Sequence, residues 1–164
     1  MKKDKNTMRQ LFISSVRPHL EFSNVVWSPH HKKYIELIEK VQRRATRCVP
    51  GLKDRTYEER LAEMKLPSLR FRRKRGDLIE MYKHTHGLYS VKESLIHYSE
   101  IGRTRGHNLK LEKRRCNLDI RKFFFTFRTV DTLNDLPEEI VNSPSVNTFK
   151  TRIDNYFSHE MYKC

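Results

Sequence analysis

A chain of 164 residues with 34 Lys plus Arg against 20 Asp plus Glu carries a formal net charge of +14, and its length suits one small domain. Five glycines and six prolines exclude a collagenous or Gly/Pro low-complexity chain. At a mean hydropathy of −0.79 no apolar run approaches the ~18 residues of a membrane helix, while a pI near 9.9 makes a polyanion the leading class of partner.

The predicted elements run as follows. Met8, Leu11, Phe12 and Val16 recur at helical spacing over residues 7–16, and Pro18 is expected to kink or end that helix. Leu20, Phe22, Val25, Val26 and Trp27 continue the apolar pattern up to Pro29. The clearest helix follows. Its stripe is Tyr34, Ile35, Leu37, Ile38, Val41, Ala45, Cys48 and Val49. Its other face carries Lys32, Glu36, Glu39, Lys40, Arg43, Arg44 and Arg47, and Pro50-Gly51 ends it. Thr56 and Glu59 form a capping box for a short helix to Met64. A longer helix spans 69–86 before Gly87, a C-cap residue, and a second short one covers 91–98. From residue 100 the character changes. Asn108 to Glu112 alternates with period two and 121–128 holds four phenylalanines, a stretch that predicts a small β-ribbon or irregular extended pair followed by helix. Pro137-Glu138-Glu139 starts a helix, and Ser145 caps a last one through Phe157. The fold class is therefore mostly α, a helical bundle with a minor extended part. Residues 1–99 form a helical region and 100–164 a C-terminal extension, or both belong to one continuous domain.

The sharpest chemical feature is Arg70-Phe71-Arg72-Arg73-Lys74-Arg75, five cations in six residues of a predicted helix. Guanidinium groups fork onto phosphate oxygens. Arg43, Arg44 and Arg47 extend the patch if the two helices pack antiparallel. The plainer readings are a solvated helix face or a nuclear-import signal. A second cluster, Arg103, Arg105, His107, Lys110, Lys113, Arg114 and Arg115, surrounds Gly106, and reads as a phosphate-approaching loop or an exposed hairpin rim. The four phenylalanines 123, 124, 125 and 127 read as core before base-stacking groups, and Trp27 reads as a packing anchor.

Nothing completes an active site. His30-His31 and His84-x-His86 do not share helix faces, no ligand set with metal spacing accompanies them, and no phosphate-cradling or nucleophile-elbow motif occurs. Cys48, Cys116 and Cys164 are odd in number, with no CxxC pair, which points to reduced thiols. Leu11-Phe12-Ile13 is too short for a secretory signal core. A nuclear or cytoplasmic location is expected, without secretion or a membrane.

A series of ordered motifs goes further. Val16-Arg17-Pro18-His19-Leu20-Glu21-Phe22 leads to Val26-Trp27-Ser28-Pro29. Ile38-Glu39-Lys40-Val41-Gln42-Arg43-Arg44-Ala45-Thr46, Tyr57-x-x-Arg60-Leu61 and Leu69 through Arg75-Gly76-Asp77-Leu78 follow. Then come Arg105-Gly106-His107, Phe123-Phe124, Arg128-Thr129-Val130, Asn134-x-Leu136-Pro137 and Phe149-Lys150. From about residue 9 to 154 this series resembles the region C-terminal to the polymerase palm in reverse transcriptases of jockey-like non-LTR retrotransposons. One departure is Leu133, where the family has Trp.

The resemblance implies a thumb-like helical bundle, a fragment of an RNA-directed DNA polymerase. No Asp-Asp pair exists in the chain, so the palm aspartates that hold two Mg²⁺ are missing. The chain would carry no catalytic residue and no cofactor of its own, Mg²⁺ being expected only for the palm. Its partners would be RNA or an RNA–DNA duplex, and the missing palm itself. The resemblance assigns Arg43, Arg44, Arg47, Arg70, Arg72, Arg73 and Arg75 to the duplex backbone, and Arg103, Arg105 and His107 to template RNA. It also implies apolar surface left for the palm at Leu11, Phe12, Leu20, Phe22 and Trp27. From another class stands a helical protein-interaction or structural module whose charges only solubilise it. A decayed element copy without function is the third reading.

Overall fold

The computed structural model describes residues 4–89, 96–99 and 107–163. It is mostly α, as the periodicity predicts. In order come α1 (Lys5–Leu11), a π-helical turn (Phe12–Val16), α2 (Arg17–Glu21), α3 (Asn24–Trp27), α4 (Lys32–Arg47), α5 (Tyr57–Met64) and α6 (Leu69–Thr85). After these come α7 (Asp119–Lys122), α8 (Phe125–Asn134), α9 (Glu138–Val141) and α10 (Val146–Tyr156). Two compact units share the chain: Met1–Arg73 with Phe157–Cys164, and Lys74–Tyr156. The sequence changes character near residue 100, whereas this division falls within α6.

In the first unit Pro18 neither ends the helix nor stands in a regular one. The turn before it widens, and the Arg17 amide reaches back to the Phe12 carbonyl. That detour absorbs the hydrogen bond a proline cannot donate. Helical backbone stops at Glu21 instead, and Ser23 adopts a left-handed conformation (φ 50°) before α3. Phe12, Val49, Leu52, Leu61, Met64 and Leu66 form the core, with Met8, Ile13, Val16, Leu20 and Tyr162 packed against it. Burying each large side chain of this set stabilises by about 1.5–3 kcal/mol. Tyr162 reaches the core because the C-terminal segment returns, its Met161 carbonyl accepting from the Ser68 amide at 2.9 Å. The residues expected to be left exposed divide: Leu11, Phe22 and Trp27 are exposed, Leu20 is half-buried and Phe12 is core. Both bonds of the Thr56–Glu59 capping box are made, at 2.8 and 3.4 Å.

Helix α4 departs from its amphipathic pattern. Such a helix ordinarily turns its apolar arc inward. Here the buried residues of α4 are Glu39, Gln42 and Thr46, while Tyr34, Leu37 and Val41 are exposed, Leu37 at 52%. At ~100° per residue the buried arc is turned about a quarter turn from the apolar one. Hydrogen bonds hold this rotation. Gln42 Nε2 donates to the Pro67 carbonyl at 3.0 Å, Thr46 Oγ1 accepts from Arg60 Nε at 3.2 Å, and Glu39 accepts from Tyr57 and from the start of α6.

The second unit contains most of α6, α7 to α10, and a minimal ribbon. Gly87 (φ 65°) ends α6 in the left-handed conformation that favours glycine, with the Leu88 amide bonded back to the Lys83 carbonyl at 2.9 Å. The helix expected over 91–98 lies largely outside the described residues. Its last residue, Tyr98, pairs with Leu111 in an antiparallel bridge, which supplies the extended part predicted after residue 100. The phenylalanine stretch belongs to the helical part that follows the ribbon: α7 and α8 meet at Phe123-Phe124, Phe125 is buried, and Phe124 is exposed. Asn134 acts as a substitute strand, its side-chain amide accepting from and donating to the backbone of Leu111, both at 2.9 Å. Ser145 Oγ accepts from the Thr148 amide to cap α10, whose Phe149 and Ile153 are fully buried. The Phe149 ring stacks on Tyr82 at 4.3 Å.

Candidate nucleic-acid interface

Arg43, Arg44 and Arg47 stand exposed on α4, and the side chain of Arg70 is exposed at the start of α6. Arg43 and Arg70 line one cleft of about 500 Å³ with His30, Lys32, Ile35, Glu36 and Glu39. Its geometry rests on Glu39. One oxygen of that buried carboxylate accepts from the Arg70 amide at 2.6 Å, and the other from the Tyr57 hydroxyl at 2.8 Å. A carboxylate on a free amide of the first turn suits the positive end of α6. The Arg43 guanidinium lies 4.9 Å from the Tyr57 ring centroid, so the ring fixed by Glu39 also seats Arg43 by cation–π attraction. Two cations far apart in sequence thus face one opening, and their fork donors suit phosphate oxygens.

The rest of the α6 run is placed differently. Arg72 pairs with both oxygens of Glu21, its Nη2 at 2.7 Å from Oε2. Arg75 pairs with both oxygens of Asp154, at 2.5 and 2.8 Å. Arg73 is only 4% exposed. The run is therefore not one solvent-facing basic surface. A helix turns ~100° per residue, so six consecutive positions cannot share a face, and the inward ones meet acids or burial.

In the second cluster Arg103 and Arg105 lie outside the described residues. His107 is 2% exposed, and the assignment to template RNA fails for it, because its Nε2 donates to the Leu133 carbonyl at 3.1 Å inside the second unit. Burial and the nearby Lys110 hold its pKa below the usual histidine value, against the Leu133 bond and Glu138, which favour protonation. Lys113 pairs with Asp131, and Arg114 lies 3.7 Å from Glu112.

Sequence reading placed Glu39 on the polar face of its helix and Tyr57 only in the motif series, and missed Lys32 and His30 as neighbours of Arg70. The capping box was the one local signal that Tyr57 opens a helix. Among the described residues no group of three or more His, Cys, Asp or Glu could hold a metal ion, and no helix is long and apolar enough to cross a membrane. No protein-family model matches the chain, and no curated protein and no solved structure matches it.

Proposed function

We propose that this chain binds the sugar-phosphate backbone of RNA or an RNA–DNA duplex along α4 and the first turn of α6, as a thumb-like piece of a retrotransposon reverse transcriptase whose palm would carry the catalysis. The observation that carries the reading is the cleft that Arg43 and Arg70 share, beside exposed Arg44 and Arg47. Cations presented without base-reading geometry suit a sequence-tolerant backbone contact. The ordered motifs support the retrotransposon origin, and the exposed Leu11, Phe22 and Trp27 are consistent with a surface meant for the palm.

The test is fluorescence anisotropy with a labelled RNA–DNA hybrid across a salt series. Binding should weaken as salt rises, because each neutralised phosphate contributes roughly 0.9 to the log–log slope on a duplex. Replacing Arg43, Arg47 and Arg70 together by Gln should flatten the slope by about 2–3. An unchanged slope in the triple variant, or no binding at about 50 mM salt, would overturn the proposal. Primer extension by the chain alone should be nil.

A further inference from the structure

The outer side of α4 carries a second surface, whose apolar residues the nucleic-acid reading does not use and which shares only Arg44 and Arg47 with it. Tyr34, Leu37, Val41 and Cys48 are all exposed, and their spacing of three, four and seven residues is that of a coiled-coil seam, with Arg44 in the remaining seam position. The seam extends about 21 Å at 1.5 Å per residue. On its solvent side runs a row at sevenfold spacing, Lys33, Lys40 and Arg47. On its inner side lie Ile38 and Ala45, half-buried against the protein. Among the described residues none of Lys33, Lys40, Arg44 and Arg47 forms an ion pair.

We infer that this seam docks an amphipathic helix with acidic flanks, supplied by a partner protein. An apolar strip of this length on a helix already fixed by its polar side needs a second apolar strip to leave water. The flanking charges select which one. In paired helices the positions beside the seam set partner and orientation. A second copy lying antiparallel would bring the Lys33, Lys40 and Arg47 row against itself. A second copy lying parallel would offer that row Ile38 and Ala45, with no carboxylate. A helix carrying Glu or Asp beside its apolar seam meets both demands.

The probe is a fluorescein-labelled 21-residue helical peptide with Leu and Ile at seam positions and Glu beside them. Its controls are the same composition scrambled and a version with Lys for Glu. The intact chain should bind the acidic peptide, and both controls at least about tenfold more weakly, the effect of losing one buried Leu-sized contact. Replacing Leu37 and Val41 together by Asp should cost at least as much. Because both positions are exposed, the circular dichroism melt of that variant should stay that of the parent. Equal binding of the scrambled peptide or equal binding by the double variant would overturn the inference. So would a dimer in sedimentation that the double variant disperses, which would give the seam to a second copy.

Discussion

Two basic segments of similar composition meet opposite fates. On α4 the cations Arg43, Arg44 and Arg47 remain at the surface, whereas on α6 Arg72 and Arg75 are held by Glu21 and Asp154 and Arg73 is buried. The denser run in the sequence is the less available one in the structure. What separates them is the surrounding chain. Carboxylates from 51 and 79 residues away arrive at α6, while Glu39, an acid of α4 itself, points inward to bond the α6 start and Tyr57. Charge density along a sequence measures how many cations exist. Which of them meet a ligand is decided by where distant acids fall.

The largest expected effect belongs to the α6 side of this comparison. Asp77 on α6 receives two bonds from Arg128, each 2.8 Å, in a pair with side chains 10% and 16% exposed. Removing one partner of such a pair leaves the other charge buried, at about 3–5 kcal/mol. Asp77→Ala should therefore lower the thermal midpoint by roughly 6–20 °C for a chain of this size. A midpoint within about 2 °C of the parent would mean that the acids near α6 are not structural, and the contrast with α4 would collapse.

A smaller effect sharpens the same contrast. Arg75→Ala breaks a partly exposed pair, for which about 1–2 kcal/mol is expected, and should leave hybrid affinity and its salt slope unchanged. Arg44→Ala with Arg47→Ala should do the reverse, losing affinity and slope while stability stays within about 0.5 kcal/mol. Urea melts and anisotropy on the same samples give both readouts. If Arg75→Ala flattened the salt slope as much as the α4 pair does, α6 would be part of the interface after all.

Elements governed by neighbours in sequence were legible in advance. Thr56 and Glu59 bond each other's backbone three residues apart, and Gly87 ends its helix with a conformation it alone adopts cheaply. The mostly helical class followed from the same local periodicities. The orientation of α4 did not, because its apolar stripe outvotes its polar face in any pattern count. The polar face turned inward because Tyr57, Arg60, Pro67 and the Arg70 amide each supply a bond to it. Four hydrogen bonds, one buried and three partly buried, at roughly 1 kcal/mol apiece and avoiding a larger desolvation cost if broken, compete with the burial of a few apolar side chains. Likewise the cleft joins Arg43 to Arg70 through a fold that no spacing rule encodes, and Asn134 was visible as a motif residue without its partner Leu111.

The smallest predicted effect tests burial of a cation-capable group in the second cluster. His107 has a folded pKa below its unfolded value of about 6.5. The unfolded chain therefore binds the extra proton first as pH falls. The stabilisation from keeping His107 neutral is fully present above pH ~6.5 and is lost as pH drops through the folded pKa. Its Nδ1 is buried with no hydrogen-bond partner among the described residues, so a proton added there would gain no acceptor to offset its desolvation. His107→Gln keeps a donor for the Leu133 carbonyl and cannot titrate. Urea midpoints taken at pH 7.5, 6.5 and 5.5, as illustrative points around that value, should fall more steeply for the parent than for the variant, with the divergence beginning below about pH 6.5. Parallel curves would mean that His107 protonates as freely folded as unfolded. It would then be reachable from solvent and return to the set of residues able to meet a phosphate.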